Sequence, residues 1–476
     1  MKKKFYITSA IPYVNAAPHI GHALEFVQTD CIARYHKLMG DDVRTLCGGD
    51  ENALKNVQAA EKIGMPVQQF VDKNNKLFEA LAAKLNARYD VWQKGSDQLH
   101  HFPSSQKLWE MCAQNHDIYQ KSYEGLYCVG CETFYEQGEL NEHGECFEHP
   151  GKPLQKVKEE NWFFRLSKYE QQIKEKIQSG KLDIVPQKRK NEVLAFLGRG
   201  LQDISISRSN ERAKNWGVPV PGDPTQRIYV WFDALNIYQS GVGFGWDEKQ
   251  YQRWWPADLH LIGKGITRFH AVYWPAFLLS AGLTPPKKIF VHEYFTVNGQ
   301  KMSKTLGNVI DPTMLIQKYG VDPLRYYFLA KFSPFNDGDF SEEEFKKTYN
   351  ADLANGLGNL VSRVTAMARD LRLTITKPAH DTIKHPSLMR FGISYEFDKA
   401  LEYIWQSVRE CDKTINDKKV WELPDEEKVE TLSQLTSQIL NIGYELQPFL
   451  PQTAEKILDQ FLGPTIKTQP PLFPRL

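Results

Sequence analysis

The sequence predicts an α/β protein whose core is a Rossmann-like, doubly wound parallel sheet. Short apolar runs followed by a turn and a helical pattern occur at the start of the chain and again after residue 258. A stretch with several glycines and cysteines, at about 116–221, lies between them. After Asp311-Pro312 the pattern is helical almost to the end of the sequence, which indicates an α-helical bundle.

The first strand–turn–helix unit occupies the beginning of the chain. The apolar run at 5–10 predicts a buried strand, and Leu24, Val27 and Cys31 recur at helical spacing. The segment 12–22 therefore connects a strand to a helix. The start of a helix presents unpaired backbone N–H groups and the positive end of the helix dipole, so this connection is suited to phosphate.

His19 and His22 in this connection are candidate phosphate ligands. They share one face of the predicted helix, and Gly21 between them leaves room for a phosphate or a flat ring. Two imidazoles at a helix N-terminus can stabilise the charge that develops on a phosphate during a displacement. The alternative is a pair of surface histidines on an amphipathic helix.

A second strand, predicted at 43–47, leads to Asp50. A carboxylate at the carboxyl end of a strand is well placed to meet a ligand, and a positively charged amino group would suit Asp50. The alternative is that Asp50 caps the helix predicted at 53–63, and spacing alone favours the cap. A further helix is predicted at 65–85.

Four soft ligands in the middle stretch predict one structural zinc site. Cys128 and Cys131 form one pair, and Cys146 and His149 form a second with the same spacing. Two such pairs close a tetrahedral site and leave no position for water. His143 is an alternative fourth ligand because it stands at the same distance from Cys146. A metal here would hold together a flap that has too little apolar surface to fold alone.

The second half of the sheet is predicted from strands at 227–233, 259–263 and 289–291. The glycines of Gly263-Lys264-Gly265 then open a helical stretch that runs to Leu279. This order repeats the strand, turn and helix of the first unit.

Lys301 and Lys304 lie between Gly299 and Gly307 and form a cationic loop. Such a loop can close over a polyphosphate and place positive charge where negative charge develops. The alternative is an ordinary turn with exposed lysines.

The helical bundle contains a possible base-reading surface. Asn359 and Arg363 share a helical face, and with an exposed Trp such groups read bases by hydrogen bonding and stacking. The alternative, favoured by the sequence alone, places Trp405 and Trp421 in the core and Arg363 in a salt bridge. Helical patterns occupy residues 312–319, 321–330, 341–369, 394–415 and 428–462.

Composition excludes several classes of protein. The 476 residues are 41% hydrophobic and 25% charged, which is typical of globular domains, and the net charge of +1 requires any nucleic acid to be met by local patches. No apolar run is long enough to cross a membrane, and the apolar segment after Met1 is too short for a signal peptide. We therefore expect a cytoplasmic protein whose seven cysteines are thiols or metal ligands.

The two signatures together resemble the class I aminoacyl-tRNA synthetases. His19-Ile20-Gly21-His22 matches the HIGH signature of that family, and Lys301-Met302-Ser303-Lys304-Thr305 matches KMSKS except for Thr305, which keeps the hydroxyl. Within the class, the chain resembles the methionyl-tRNA synthetases over essentially its whole length. The resemblance implies a catalytic domain at 1–115 and 226–308, a connective insertion with the zinc knuckle at 116–225, a stem-contact linker at 309–346 and a helical anticodon-binding domain at 347–476.

The same resemblance implies a methionine pocket in which Asp50 holds the amino group. Three departures from the family pattern are Leu235 in place of Pro, Asn52-Ala53 in place of His-Gly, and Gly265 in place of Asp beside the nucleotide. An aromatic-lined pocket suits the apolar, polarizable side chain of methionine. The pocket positions are Ile11, Tyr13, Asp50, Trp231, Ala234, Leu235, Tyr238, Ile266 and His270.

The implied activity is the ATP-dependent attachment of methionine to the 3′ end of its tRNA through methionyl-adenylate. The resemblance assigns catalysis to His19, His22, Lys301 and Lys304, ATP binding to His19, Gly21, His22, Gly263 and Lys304, and anticodon binding to Asn359, Arg363 and Trp421. Magnesium would accompany ATP, and a monomer is expected because no appended tRNA-binding barrel is visible. The rivals are a nucleotidylyltransferase, a catalytically inactive RNA-binding relative and a class I enzyme for another amino acid.

Overall fold

The structure is a computed structural model that describes residues 2–128, 133–135, 138, 140–148, 150–300, 302, 307–371, 386–463 and 465–476. The chain forms two compact units. Unit 1 comprises Met1–Pro18, Asp41–Ala83 and Arg88–His292, and unit 2 comprises His19–Gly40, Lys84–Ala87 and Glu293–Leu476.

The strands in the described part of the chain are β1 (Lys4–Ser9), β2 (Asp42–Gly49), β3 (Val91–Lys94), β4 (Ile118–Cys128), β5 (Thr133–Tyr135), β6 (Gln155–Phe164), β7 (Asp183–Val185), β8 (Ile204–Ser205), β9 (Ser207–Ser209), β10 (Pro219–Val220), β11 (Asp223–Ile228), β12 (Leu259–Gly263), β13 (Lys288–His292), β14 (Phe295–Val297) and β15 (Gly338–Phe340).

The α-helices are α1 (Ile20–Leu38), α2 (Leu54–Lys62), α3 (Val67–Lys84), α4 (His101–Gln114), α5 (Glu170–Gln178), α6 (Gln187–Leu197), α7 (Val230–Ser240), α8 (Glu248–Trp254), α9 (Trp274–Ser280), α10 (Pro312–Tyr319), α11 (Val321–Lys331), α12 (Glu342–Thr348), α13 (Asn359–Asp370), α14 (Pro386–Ser394), α15 (Phe397–Asp417), α16 (Asp425–Leu446) and α17 (Pro451–Phe461). Short 3₁₀ helices occupy Leu166–Tyr169, Lys264–Ile266 and Val420–Glu422, and π-helical turns occupy Phe269–Tyr273 and Tyr349–Gly358.

A six-stranded sheet forms the centre of unit 1, with the strand order β3-β2-β1-β12-β13-β7. All neighbouring strands are parallel, and Ile7 lies between Thr45 on one side and Leu259 on the other. The predicted parallel α/β core is therefore confirmed. The carboxyl ends of β1, β2 and β12 lie side by side, which is where ligands bind in open parallel sheets.

The edge strand β7 comes from the middle stretch of the sequence and pairs with β13. Two antiparallel sheets complete unit 1, with the orders β5-β4-β6-β8 and β10-β11-β9. In the first, β4 and β6 pair over ten residues each, from Ile118 opposite Phe164 to Tyr127 opposite Gln155. The chain thus leaves the parallel sheet after α4 and returns to it briefly at β7.

Unit 2 consists mainly of helices, with one short parallel pair of strands, β14 and β15. Its core contains the fully buried Arg325, whose guanidinium lies 2.8 Å from the Asp30 carboxylate of α1. The same guanidinium donates to the backbone carbonyls of Leu85, Pro448 and Phe449. One satisfied buried charge therefore joins α1 and α11 to the C-terminal helices.

The prediction of a strand at 227–233 is wrong beyond Ile228. β11 ends there, and Val230–Ser240 form the helix α7, in which every residue is buried. Its polar residues, among them Asp233, Asn236 and Gln239, are buried as well, so α7 lacks an exposed polar face. A short helix that is buried on every side is hard to distinguish from a buried strand by sequence pattern. The prediction of one helix at 428–462 is also wrong, because α16 ends at Leu446 and α17 begins with Pro451 at its first position.

Candidate active site

An aromatic cluster lies beyond the carboxyl ends of the sheet strands in unit 1. The Trp231 ring stacks on Phe269 with a centroid distance of 3.7 Å and an interplanar angle of 2°. Tyr13 meets Trp231 edge-on at 6.3 Å, and His270 meets it edge-on at the same distance. The Trp231 indole N–H is buried, and no described residue accepts it. The cluster therefore offers apolar ring faces and one buried donor to a small ligand.

A hydrogen-bond chain fixes the tautomer of His270 in this cluster. Nδ1 of His270 lies 3.0 Å from the Ile266 carbonyl, which only accepts, so Nδ1 carries the proton. Nε2 then accepts from the Tyr238 hydroxyl at 2.7 Å. Burial lowers the pKa of His270 to about 4, so the ring is neutral at physiological pH. The Tyr238–His270 pair is thus an uncharged polar contact in an apolar pocket.

The remaining predicted pocket residues lie in or against the same hydrophobic core as this pair. Ala234 and Leu235 are buried on α7, one turn before Tyr238, and Ile11 and Ile266 pack against the same core. The Tyr6 hydroxyl donates to the Tyr238 carbonyl at 2.5 Å, which ties α7 to β1. The structure therefore brings together in unit 1 the residues that the sequence assigned to a methionine pocket, and Leu235 fits there as an ordinary core residue.

Asp50 follows β2 and is 3% exposed. Its backbone N–H donates to the Pro12 carbonyl at 2.9 Å, and it pairs with Tyr13 in an isolated parallel bridge. The alternative that Asp50 caps a helix is wrong, because α2 begins at Leu54 and Ala53 occupies the cap position. The backbone of Asp50 is thus fixed beside Tyr13, at the edge of the aromatic cluster.

The departure at Asn52 has a clear structural role. Its amide donates to the Asp233 carboxylate at 2.6 Å and to the Gly95 carbonyl at 2.7 Å. Asp233 also bonds to His101 and Ser105, each at 2.8 Å, in a fully buried group. Asn52 therefore connects the segment after β2 to α7, which carries the pocket residues.

In unit 2, His19 and His22 cap the start of α1. The Gly21 backbone N–H donates to Nδ1 of His19, and the His19 backbone N–H donates to Nδ1 of His22, each at 3.1 Å. The rings lie 4.0 Å apart, and burial together with the neighbouring His19 lowers the pKa of His22. Because Nδ1 accepts in both rings, Nε2 carries the proton and is the donor of each imidazole.

This arrangement corrects the expectation that the helix start presents unpaired backbone N–H groups. Gly21 N–H is bonded to His19, Ile20 N–H donates to the Ile310 carbonyl at 3.2 Å, and His22 N–H donates to the His19 carbonyl. The donors that this helix start offers to a ligand are therefore Nε2 of His19 and Nε2 of His22, and the backbone N–H groups of residues 20–22 are already bonded. A Cβ at Gly21 would lie 2.9 Å from Cε1 of His19, so the glycine is required for this ring position.

The lysine loop lies largely outside the described residues, and Lys301 and Lys304 are among those left out. Met302 is described, and its Cε lies 3.6 Å from the position of a Gly21 Cβ. The Met302 side chain therefore lies close to the start of α1 within unit 2. Gly263 ends β12 in unit 1 and precedes the 3₁₀ turn Lys264–Ile266, which contains Gly265.

The predicted zinc ligands are described in part. Cys128 and Cys146 are buried in one small cluster with Tyr135, and the Cys146 thiol donates to the Tyr135 hydroxyl at 3.3 Å. Cys131 and His149 lie outside the described residues, and His143 is exposed beside Glu142. Among the described residues no group of three or more metal-ligating side chains occurs.

The three predicted anticodon residues lie on the helical part of unit 2. Arg363 donates to the Asn416 side chain at 2.9 Å and lies 5.9 Å from the Trp421 ring centroid. Trp421 is 49% exposed, so its placement in the core is wrong, whereas Trp405 is buried against Tyr326 as expected. Arg363 lies 3.5 Å from the Asp412 carboxylate, so the salt bridge of the alternative is present. Asn359 begins α13, one turn before Arg363. The exposed Trp421 ring thus lies beside a partly exposed arginine that is paired with Asp412.

Sequence reasoning missed Phe269, His260 and Lys55 around the pocket. Phe269 covers one face of Trp231, the His260 ring lies 4.4 Å from Tyr238, and the Lys55 ammonium lies 2.9 Å from the Tyr13 ring centroid. Phe269 directly precedes His270, so this adjacency is a signal that the sequence contained. Lys55 and His260 carry no such signal, because their positions depend on the tertiary fold.

Comparisons with known proteins agree with this architecture. A family model described as tRNA synthetases class I (M) matches residues 5–365. The methionine–tRNA ligase of Thermotoga maritima is 40% identical over 95% of this chain and 74% of its own length, and that of Nostoc sp. is 40% identical over 96% and 90%. The structure of Mycobacterium tuberculosis methionyl-tRNA synthetase in complex with methionyl-adenylate superposes with a TM-score of 0.91 at 35% identity, covering 99% of this chain and 100% of that one.

The parallel sheet and the histidine-capped helix are those of a class I tRNA synthetase. The similarity is strong enough in identity and coverage to decide the subgroup. The chain belongs to the methionyl-tRNA synthetase family.

Proposed function

We propose that this chain activates methionine with ATP and transfers it to the 3′ end of the methionine tRNA. The observation that carries the proposal is the uncharged Tyr238–His270 pair inside an aromatic pocket beside Asp50. An apolar side chain with one polarizable atom matches such a pocket. A charged or strongly polar amino-acid side chain would have to lose its hydration there without an ionic partner.

In the first step, the pocket orients the amino acid. The Asp50 carboxylate pairs with the substrate ammonium, and Ile11, Tyr13, Trp231, Ala234, Leu235, Ile266 and the Tyr238–His270 pair receive the side chain. A carboxylate oxygen of methionine attacks the α-phosphorus of ATP, and pyrophosphate leaves with the electrons of the broken P–O bond. The protein contributes position and charge, so no covalent enzyme intermediate is needed.

The phosphates are bound by side-chain donors. Nε2 of His19 and Nε2 of His22 donate to phosphate oxygens as their charge grows, and Gly21 and Gly263 leave space for the nucleotide. Lys301 and Lys304 bind the β- and γ-phosphates from the loop that contains Met302. When bound with ATP, magnesium would neutralise part of the phosphate charge.

In the second step, a hydroxyl of the terminal ribose of tRNA attacks the adenylate carbonyl. AMP leaves, and the hydroxyl proton is released. Asn359, Arg363 and Trp421 in the helical part of unit 2 identify the tRNA by contacting its anticodon. The exposure of Trp421 supports this role, because stacking needs an accessible ring, and the partly exposed Arg363 lies beside it.

The finer parts of the proposal are a structural zinc ion, a monomeric state and a cytoplasmic location. Cys128 and Cys146 fit the zinc role because both thiols face one small buried cluster, and Cys131 and His149 complete the proposed set. Among the described residues, no helix has the length and apolarity needed to cross a bilayer. Replacement of His149 should lower the zinc content more than replacement of His143, and the reverse result would move the ligand.

The assay that tests the function is ATP–pyrophosphate exchange with each amino acid in turn. Exchange should depend on methionine and should be followed by charging of the methionine tRNA when that tRNA is added. Exchange that depends on leucine or another amino acid would assign a different specificity. Exchange with none of them would favour an inactive RNA-binding relative, and adenylyl transfer without tRNA charging would favour a nucleotidylyltransferase.

A further inference from the structure

The carboxylate of the bound amino acid has no partner among the residues that the proposed function assigns. Asp50 takes the ammonium, the aromatic pocket takes the side chain, and His19, His22 and the lysine loop take the phosphates. Asp50 and the rings around it are largely buried. A carboxylate that enters such a site needs a hydrogen-bonded cation, because the loss of its hydration is otherwise costly. The site therefore requires a positive group close to Asp50.

Lys55 places a positive charge on a ring of the pocket that contacts Asp50. Its ammonium lies 2.9 Å from the Tyr13 ring centroid. Tyr13 pairs with Asp50 in an isolated parallel bridge and meets Trp231 edge-on at 6.3 Å. The side chain of Asn56, the residue after Lys55, donates to the Asp50 carbonyl at 2.8 Å. The backbone of Asp50 thus contacts both Tyr13 and the start of α2, and Lys55 belongs to the second and covers the first.

The helix that carries Lys55 does not account for a cation at this position. Lys55 lies in the first turn of α2, where the helix dipole is positive and an acidic residue is favoured. That turn contains no acidic residue, and Ala53 at the cap position supplies no side-chain acceptor. The contact with Tyr13 offsets only part of this cost. A negative group of a ligand beside the ammonium would interact favourably with both the lysine and the dipole.

The covalent geometry of an amino acid restricts where its carboxylate can lie. The ammonium nitrogen and the carboxylate carbon are about 2.5 Å apart, because both are bonded to Cα. Once Asp50 holds the ammonium, the carboxylate is therefore confined to the immediate surroundings of Asp50. Asp50 and Lys55 offer one anion and one cation there. They match the two charges of the substrate backbone, whatever its side chain.

We propose that Lys55 is a substrate-binding residue whose ammonium pairs with the carboxylate of methionine and orients it for attack on the α-phosphorus. The ammonium donates to the carboxylate oxygen that does not attack, and it keeps its proton throughout. As the other oxygen forms its bond to phosphorus, the first becomes the carbonyl oxygen of the adenylate and stays hydrogen-bonded to Lys55. The inference rests on the proposed function and adds to it the partner of the carboxylate.

The test compares the binding of L-methionine and L-methioninol without ATP, measured by calorimetry. Methioninol keeps the ammonium and the side chain but has a hydroxymethyl group in place of the carboxylate. In Lys55→Gln, the Kd for methionine should rise on the order of tenfold, the loss expected for one hydrogen bond between charged groups, and the Kd for methioninol should not change. Lys62→Gln is the matched control, because Lys62 is exposed in the last turn of the same helix, and it should change neither Kd.

Three further variants separate the carboxylate contact from other roles. Asp50→Asn acts on the ammonium, which both ligands share, so it should weaken the binding of both. Lys55→Arg keeps the charge and should retain part of the preference for methionine over methioninol. Arg268→Gln tests a competing cation, whose guanidinium lies 5.2 Å from the Phe269 ring centroid, and it should leave the ratio of the two Kd values unchanged.

Several results would overturn the inference. Equal weakening of methionine and methioninol in Lys55→Gln would mean that Lys55 only supports the shape of the pocket through Tyr13. An unchanged Kd for methionine in Lys55→Gln, or a selective loss in Arg268→Gln, would assign the carboxylate to another group. An unfolded fraction of a variant does not alter the ratio of the two Kd values, because that fraction binds neither ligand. A wild type that prefers another amino acid would instead contradict the proposed function, and Lys55 would then be tested with that amino acid and its alcohol.

Discussion

The aromatic pocket of unit 1 and the Arg363–Trp421 surface of unit 2 use similar residue types under opposite conditions. In the pocket, Trp231 is stacked on Phe269 and His270 is fixed by two hydrogen bonds, all of them buried. On the helical surface, half of the Trp421 side chain is exposed and Arg363 lies beside it. Burial prepares the first region for one small apolar ligand, whereas exposure leaves the second open to a nucleic acid.

This contrast determines which step of the reaction each region can affect. A change in the buried pocket alters binding of the amino acid and therefore both steps, and it also carries a cost in stability. A change on the exposed surface alters tRNA binding alone, and its effect depends on salt. A change in the His19–His22 pair should likewise affect both steps, because internal hydrogen bonds fix both rings as they fix the pocket residues.

The largest effect is expected from Asp50→Asn, which keeps the shape of the side chain and removes its charge. Leaving the substrate ammonium without its buried partner costs about 3 to 5 kcal/mol, or more than a hundredfold in kcat/KM for methionine. The thermal stability should change little. Retention of most of the activity in pyrophosphate exchange would show that Asp50 does not hold the amino group.

The next largest effect is expected from His19→Asn, a variant that distinguishes the capping role of His19 from its catalytic role. Asn is as good an N-cap as any residue, so the melting temperature should be retained. Loss of the Nε2 donor should lower the exchange rate by about 100-fold, which is typical for one donor to a developing charge. The competing explanation, a purely structural histidine, predicts that activity and melting temperature fall together or not at all.

The buried histidine gives a pH-dependent test of the pocket. The pKa of His270 is about 4 in the folded chain, against 6.5 in an unfolded one, so the unfolded state binds the extra proton between these values. The free energy of unfolding should therefore fall by about 3 kcal/mol from this residue as the pH drops from 6.5 to 4. Urea unfolding of the wild type and His270→Gln should show a shallower dependence in the variant.

A buried His260 and a capping His22 also have lowered pKa values, so their contributions remain in both proteins. The contribution of His270 is therefore the difference between wild type and variant in how the free energy of unfolding depends on pH. Identical pH dependences would mean that His270 is protonated in the folded state, and the neutral Tyr238–His270 pair would have to be abandoned.

The smallest effect is expected from a change on the Arg363–Trp421 surface of unit 2. Trp421→Ala should weaken the binding of tRNA in the charging reaction by about 1 to 3 kcal/mol, which is the value of one stacked base. The rate of pyrophosphate exchange should not change. Trp421→Phe should recover part of the loss because it keeps an aromatic face. An equal loss in exchange would indicate that Trp421 supports the fold instead of the tRNA.

The sequence predicted most elements of the parallel sheet, because β1, β2, β12 and β13 are apolar runs bounded by turns. It did not predict β7, which joins that sheet from the middle stretch, since strand pairing between distant segments has no local signature. The helix α7 was read as a strand because it is buried on every side.

For the candidate site, the motifs identified the positions, and the structure supplied the hydrogen bonds. His19 and His22 stood out in the sequence, but their mutual capping through Nδ1 depends on rotamers that spacing does not determine. Spacing alone favours a helix cap for Asp50, but α2 begins at Leu54 and Ala53 occupies the cap position. The partner of Asn52, Asp233, lies far along the chain and follows only from the packing of α7.

The most direct test of the whole account is a single-turnover experiment in which the product of each step is detected. Enzyme is mixed with ATP and labelled methionine, the adenylate is quantified, and the methionine tRNA is added only then. We predict that methionyl-adenylate forms without tRNA and that the label then moves to the 3′ end of the tRNA with release of AMP. Failure to form the adenylate, or formation with another amino acid in preference to methionine, would contradict the account.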